Sequence, residues 1–257
     1  MPSIAGNPTP CLPPPPVCAP VGLALFLDLD GVLAPMADTP DAVVADPRRT
    51  RALLALDGAL EGRLAVISGR TLSEIDRIAG GAARSAAGVH GLHRRHRDGS
   101  IAEISPSVGV APAVAAFRVF ASDHPGVIVE DKGVSAGLHF RGAPDAEAKA
   151  MALAEDLAAR GGLVVQPGKL VVELKTPGAD KGTALTAFMA EPVFAGALPV
   201  MFGDDLTDEA GFLAAQALGG FGVLVGDSRE TAARYGLPDV EAVLTWLEAV
   251  AMETQAA

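Results

Sequence analysis

Two aspartates, Asp28 and Asp30, flank Leu29 at the end of the apolar run LALFL, where a buried strand ordinarily excludes charge. Similar polar groups follow other apolar runs. Ser68, Gly69 and Arg70 follow LAVI, His90 follows SAAGV, and Asp204, Asp205 and Asp208 follow VMFG, while Lys181 opens a helical stretch. Carboxylates gathered in one crevice repel one another, and some protonate unless a cation sits between them. A hard divalent ion with oxygen ligands, Mg²⁺ above all, removes that conflict. Gly31 lets the chain turn directly after the acids and aim amide groups at an anion. An attacking oxygen, an acid/base, a metal and positive donors are the parts that phosphoryl transfer needs.

Each piece has a plainer reading. Asp-x-Asp-Gly and Ser-Gly-Arg are also ordinary turns, GDDLTDE is also an acidic helix start that complements the helix dipole, and Asp-Lys-Gly alone says almost nothing. Their order, each at a strand end or helix start, is what favours the chemistry.

The elements that must position these groups are legible in the periodicity. Strands over 23–29, 64–68 and 85–89 alternate with helices over 47–60 and 72–78, the second opened by the capping-box pair Thr71 and Glu74. Such alternation predicts right-handed βαβ units and a parallel sheet, with near-continuous apolar strands covered on both faces. Ligands of such sheets bind outside the carboxyl ends of the strands. Residues 91–105 read as a hairpin turning at Asp98-Gly99. Helices over 108–122 and 146–160 and hairpins over 127–141 and 163–174 then give an α-β-β-α-β-β pattern, read as an inserted α+β domain at 106–175. The alternation resumes with helices over 181–189, 209–217 and 240–251 and strands over 200–202 and 222–225. The parallel-sheet α/β core is thus expected at 21–105 and 176–257.

The chain has 257 residues, 49% hydrophobic and 20% charged, within the ordinary globular range. Its formal net charge of −11 repels nucleic acid and anionic lipid. The one dense basic cluster, HRRHR at 93–97, reads as a solvated hairpin. No apolar run reaches the ~18 residues of a membrane span. Both cysteines, Cys11 and Cys18, fall in a Pro-rich leader over residues 1–20 that lacks signal-peptide features and is expected to be disordered. They read as thiols of a reducing, cytoplasmic compartment.

The motifs DLDGV, SGR, DKG and GDDLTDE resemble, in order, the four motifs of the haloacid-dehalogenase-like phosphohydrolases. The resemblance implies a Rossmann-like core with a cap, Asp28 as nucleophile and Asp30 as general acid/base. It also implies Ser68 as a phosphoryl holder, Lys181 as a neutralising charge, and Mg²⁺ on Asp28, the Asp30 carbonyl and Asp204, with Asp205 or Asp208 reaching the metal through water. Within the insertion, Glu130, Lys132, Ser135, His139 and Arg141 in EDKGVSAGLHFR, Lys169 and Glu173 in GKLVVE, and GVHG around His90 are similar to the trehalose-6-phosphate phosphatase group. Phe140 stands where that pattern usually has tyrosine. The resemblance covers about residues 23–247 and implies a small-molecule sugar phosphate as substrate, gripped by the cap, in the last step of trehalose biosynthesis.

The residues of the insertion agree with a polar ligand. Glu130 and Lys132 flank a turn, and Lys169 and Glu173 have the even spacing that puts strand residues on one face. A mixed-charge face without aromatics suits a hydroxyl-rich molecule, although cross-strand ion pairs on a solvated sheet have the same composition. Other expectations stay open: a sucrose-phosphate or hexose-phosphate phosphatase, a phospho-accepting receiver, which has no use for a lid, or a sugar-sensing pseudo-enzyme. Nothing in the sequence sets the oligomeric state, and a monomer is compatible with it.

Overall fold

A computed structural model describes residues 12–17, 21–37 and 42–253. The chain begins β1 (Leu23–Leu27), α1 (Pro47–Ala59), β2 (Leu64–Ile67), α2 (Leu72–Ala79), β3 (Ser85–Gly88), then the antiparallel strands β4 (His93–Arg95) and β5 (Ile101–Glu103). It continues through α3 (Val110–Asp123), β6 (Ile128–Asp131), β7 (Ser135–His139), α4 (Glu147–Gly161), β8 (Val164–Gly168) and β9 (Val171–Lys175). It ends with α5 (Lys181–Met189), β10 (Leu198–Gly203), α6 (Glu209–Ala217), β11 (Phe221–Val225), β12 (Tyr235–Leu237) and α7 (Val240–Glu253). Two sheets result: an eight-stranded one ordered β12-β11-β10-β1-β2-β3-β4-β5 and a four-stranded one ordered β6-β7-β9-β8.

The large sheet is parallel from β12 to β3 and apolar on both faces. Leu25 and Leu27 of β1 pack with residues of α1 and α7, while Phe26 on the other face stacks on Phe194 and meets Phe188 at a tilt. Both faces are covered, so β1 reads as a continuous apolar run. Each buried side chain of this size contributes about 1.5–3 kcal/mol. Register then sets the site. Leu27 lies beside Phe202 and Val66, which brings the residues after β1, β10 and β2 to one edge.

The small sheet is antiparallel throughout and forms an inserted α+β cap. Ala136, Leu138, Val172 and Leu174 face α3 and α4, whose Ala113, Phe117, Ala150 and Ala154 complete a separate apolar core. The alanines at 150, 154 and 158 recur every four residues and form the buried stripe of α4.

Two features differ from expectation. The Pro-rich leader is not wholly outside the fold, because residues 12–17 lie against the short strand β12, which the sequence pattern does not announce. Gly236 N–H donates to the Pro13 carbonyl at 2.9 Å, Trp246 Nε1–H donates to the Pro15 carbonyl at 3.3 Å, and Leu12 packs on the apolar core. An edge strand leaves N–H groups unpaired, and proline, though it lacks a donor, keeps its carbonyl as an acceptor. The rest of the leader, including Cys11 and Cys18, lies outside the described residues. A chain starting at Val21 loses two hydrogen bonds and the burial of Leu12 and Pro15, worth about 2–4 kcal/mol. Thermal unfolding should shift down by roughly 5–10 °C, and an unchanged midpoint would show that the segment holds nothing.

The basic cluster also is not simply solvated. Arg95 forks onto Asp76 at 2.7 Å through both nitrogens, Arg97 onto Asp57, and Arg94 pairs with Glu191, which also sits 3.0 Å from His96 Nδ1. Acids on the core claim these cations, so the hairpin is fastened to the sheet edge. Among the described residues no helix is long and apolar enough to cross a membrane.

Candidate active site

At the carboxyl edge of β1 and β10, the Lys181 ammonium lies 2.8 Å from Asp28 Oδ2 and donates to Asp208 Oδ1 at 2.7 Å. All three side chains are buried. Asp180 caps α5 by accepting from Thr183 N–H, which fixes Lys181 at the first helical position. Asp28 Oδ1 also accepts from Leu29 N–H at 2.7 Å. Burial pushes the Asp28 carboxyl well above the usual range, with Lys181 opposing the shift. Burial acts against the charge on Lys181 as well, yet Asp208 and Asp28 outweigh it and hold the ammonium protonated.

Asp204 directly follows β10. Burial, with the charges of Asp208 and Asp205, pushes its carboxyl up to about 7. Asp208 is fully buried and committed: Oδ1 takes Lys181, and Oδ2 takes the N–H groups of Asp204 and Asp205 at 3.0 and 3.1 Å. Asp205 turns its carboxylate to the Thr207 N–H and hydroxyl at the start of a short 3₁₀ turn.

Asp28, Asp204 and Asp208 each offer an oxygen within 4.8 Å of the other two. Three carboxylates against one lysine leave negative charge in excess, which the raised Asp204 registers, and an all-oxygen donor set suits Mg²⁺. The residues therefore fit such an ion: Asp28 and Asp204 would hold it, while Asp208 fixes Lys181 and the backbone of Asp204 and Asp205. Asp30 is expected at the metal through its carbonyl, which leaves its carboxylate free for Arg70, and Asp205 is expected there through water, its carboxylate here taken by Thr207.

Asp30 is held by Arg70, whose Nε and Nη2 donate to its two oxygens at 2.7 and 2.8 Å. Arg70, expected at the substrate, also reaches Glu74, the residue that closes the capping box of α2 with Thr71. Between the two acids of the first strand end and Asp204 there is no room for a side chain at position 31. Gly31 has φ +75°, and a Cβ there would lie 2.1 Å from Asp204 Oδ2.

Ser68 is buried at the end of β2, its hydroxyl accepting from Arg70 N–H at 3.3 Å and its carbonyl from His90 N–H at 2.9 Å. Val89 and His90 both adopt left-handed backbone, φ +48° and +55°. That conformation is costly for a β-branched residue. It sets the imidazole over Gly69, where a Cβ would meet Nε2 at 2.7 Å. Burial holds His90 below its ordinary value, so the ring is neutral.

The cap turns its polar face toward these groups. Glu130, Gly137, Glu173 and Gln166 form one cross-strand row. Lys132 donates to Glu173 Oε2 and lies 3.4 Å from Glu130 Oε2, His139 Nε2 pairs with Glu130 at 2.9 Å, and the Ser135 hydroxyl donates to Glu173. Burial disfavours charge on Glu173 and Glu130, but Lys132, the nearby His90 and the Ser135 hydroxyl hold Glu173 well below the usual range, and His139 with Lys132 lowers Glu130. Cap and core also touch directly: Lys132 Nζ donates to the Gly69 carbonyl at 3.0 Å, and Arg141 donates to the Ala37 carbonyl. His90 Nε2 lies 3.7 Å from Glu173.

Lys169 departs from expectation. It is exposed in the turn between β8 and β9, not on a strand with Glu173, because Leu170 takes φ +60° and breaks the alternation. It still lines the cavity between cap and core, about 920 Å³, together with Asp28, Asp30, Glu130 and Glu173. Ser135 stands in the quoted motif, yet its part in fixing Glu173 depends on cross-strand register. Gln166 and the loop at Asp227 and Arg229, which also line the cavity, carry no motif signal.

The trehalose-phosphatase family model matches residues 26–241. The chain is 40% identical over 235 residues to the trehalose-6-phosphate phosphatase of Escherichia coli (strain K12), covering 90% of this chain and 88% of that protein. It is 36% identical over 232 residues to a probable trehalose-phosphate phosphatase of Sinorhizobium fredii, covering 89% and 88%. Among solved structures, a trehalose-6-phosphate phosphatase related protein matches with TM-score 0.73 and 25% identity over 91% of this chain and 100% of that one. A haloacid dehalogenase-like hydrolase from Bacteroides thetaiotaomicron matches with TM-score 0.65 and 16% identity over 89% and 99%, a likeness of fold. The architecture is thus haloacid-dehalogenase-like, a parallel-sheet core with an inserted cap.

Proposed function

The chain belongs to the trehalose-phosphatase family of phosphoric monoester hydrolases, and from that premise we propose that it is a cytoplasmic, Mg²⁺-dependent enzyme that releases trehalose and phosphate from trehalose 6-phosphate. The observation that carries this reading is the placement of Asp28 and Lys181, 2.8 Å apart and buried, beneath a cavity whose opposite wall is the charged face of the cap. Asp28 attacks phosphorus and the bond to the sugar oxygen breaks, which leaves an aspartyl-phosphate. The departing oxygen takes a proton from Asp30, and the resulting carboxylate then removes a proton from the water that hydrolyses the intermediate.

The bidentate Arg70 contact fixes the orientation of the Asp30 carboxyl for both proton transfers. Lys181, 2.8 Å from Asp28, opposes the upward push of burial on its carboxyl and balances charge at the phosphoryl group, and Ser68 donates to a phosphoryl oxygen. Asp28 and Asp204 would hold Mg²⁺, which when bound would supply positive charge to screen these carboxylates and orient the phosphate. The cap, drawn onto the core by Lys132 and Arg141, excludes water from the reacting centre, and its Glu130, Lys132, His139, Arg141, Lys169 and Glu173 receive the sugar.

Phosphate release from trehalose 6-phosphate should stop on exhaustive chelation and return with added Mg²⁺. Turnover that survives chelation contradicts the metal requirement, and no release under any metal condition contradicts the substrate.

A further inference from the structure

Most polar groups on the cap face already have partners. Glu130 is paired with His139, and Glu173 takes Lys132 and Ser135. Gln166 differs. It lies directly across from Glu173 in the antiparallel pair of β8 and β9, and opposed residues project from the same face. Its neighbour Val165 pairs with Leu174 and packs into the apolar core of the cap, so Gln166 faces the other way, into the cavity it lines. Among the described residues its amide makes no hydrogen bond.

A primary amide offers two donors and an acceptor with two lone pairs, and a sugar hydroxyl both gives and takes a hydrogen bond. A carboxylate only accepts and an ammonium only donates, so neither Glu173 nor Lys132 serves a hydroxyl in both senses. We infer that Gln166 is a specificity-determining residue that binds hydroxyls of the sugar leaving group, beside Glu173. The inference rests on the sugar-phosphate reading of the cavity and adds a neutral group to a face otherwise recognised by its charges.

The test compares Gln166→Leu, which keeps the bulk and removes every donor and acceptor, with Gln166→Glu, which keeps the acceptor and adds charge beside Glu173. Both are assayed on trehalose 6-phosphate and on p-nitrophenyl phosphate. For the leucine variant kcat/KM on the sugar phosphate should fall about tenfold, the loss of one to two hydrogen bonds, mostly through KM. The glutamate variant should fall at least as far. Activity on p-nitrophenyl phosphate should stay within twofold, and the unfolding midpoint of the leucine variant should not drop, because Gln166 holds no partner among the described residues. Unchanged sugar-phosphate kinetics, or equal losses on both substrates, would overturn the assignment. If wild type prefers a different sugar phosphate, the substrate reading fails and Gln166 is judged on the preferred sugar. If wild type prefers no sugar phosphate over the small ester, both readings fall.

Discussion

Asp28→Asn should reduce phosphate release by on the order of 10⁴-fold or more while leaving the protein folded, the scale of loss seen when a covalent nucleophile is removed. The amide is nearly the same size as the carboxylate but cannot form an acyl phosphate. Its effect on stability should be neutral or favourable. Burial and the charges of Asp208 and Asp204 all act against the ionised Asp28, and Lys181 keeps its hydrogen bond to Asp208 without it. An asparagine variant that unfolds no earlier than wild type and yet fails to turn over isolates chemistry from structure. Turnover at the wild-type rate would remove Asp28 from the mechanism.

The next largest effect belongs to the cap. Glu173→Gln should lower kcat/KM for trehalose 6-phosphate by about 10²–10⁴-fold, because a site built to hydrogen-bond hydroxyls loses heavily when its buried polar groups are left mismatched. Glu173 is the node of that face: Lys132 and Ser135 bond to it, and His90 approaches it from the core. Glutamine cannot keep the ion pair, and its amide nitrogen turns a donor toward either Lys132 or Ser135. Activity on p-nitrophenyl phosphate, which makes no contact with the cap in this reading, should change by only a few-fold. Equal losses on the two substrates would mean that Glu173 supports the fold of the site and not the choice of sugar.

The parts of this site that lie on consecutive residues were legible in the sequence. Asp28, Asp30 and Gly31 end a continuous apolar run, and the helices beginning at Lys181 and Glu209 start where acids and a lysine announce them. Parallel strands covered on both faces leave a plain signal, and their carboxyl ends are where polar residues collect. What depends on register was not legible. The engagement of Asp30 by Arg70, forty residues away, and of Glu173 by Ser135, thirty-eight away, follows from which strands lie side by side. Lys169 was misplaced for a local reason, since even spacing from Glu173 assumes an unbroken strand and the left-handed Leu170 interrupts it. Strand β12 is three residues long with a glycine at its centre, too short for periodicity to detect, and the Pro13 carbonyl that pairs with it belongs to a segment whose composition reads as disorder.

In the proposed function a generic carboxylate phosphatase core is made selective for a disaccharide phosphate by the cap. Measuring kcat/KM of the wild-type enzyme with Mg²⁺ for trehalose 6-phosphate, sucrose 6-phosphate, glucose 6-phosphate and p-nitrophenyl phosphate tests it most directly. Trehalose 6-phosphate should exceed every other ester by at least ~10²-fold, the discrimination available to a site that pairs several sugar hydroxyls. A value for glucose 6-phosphate or sucrose 6-phosphate equal to or above that for trehalose 6-phosphate would contradict it.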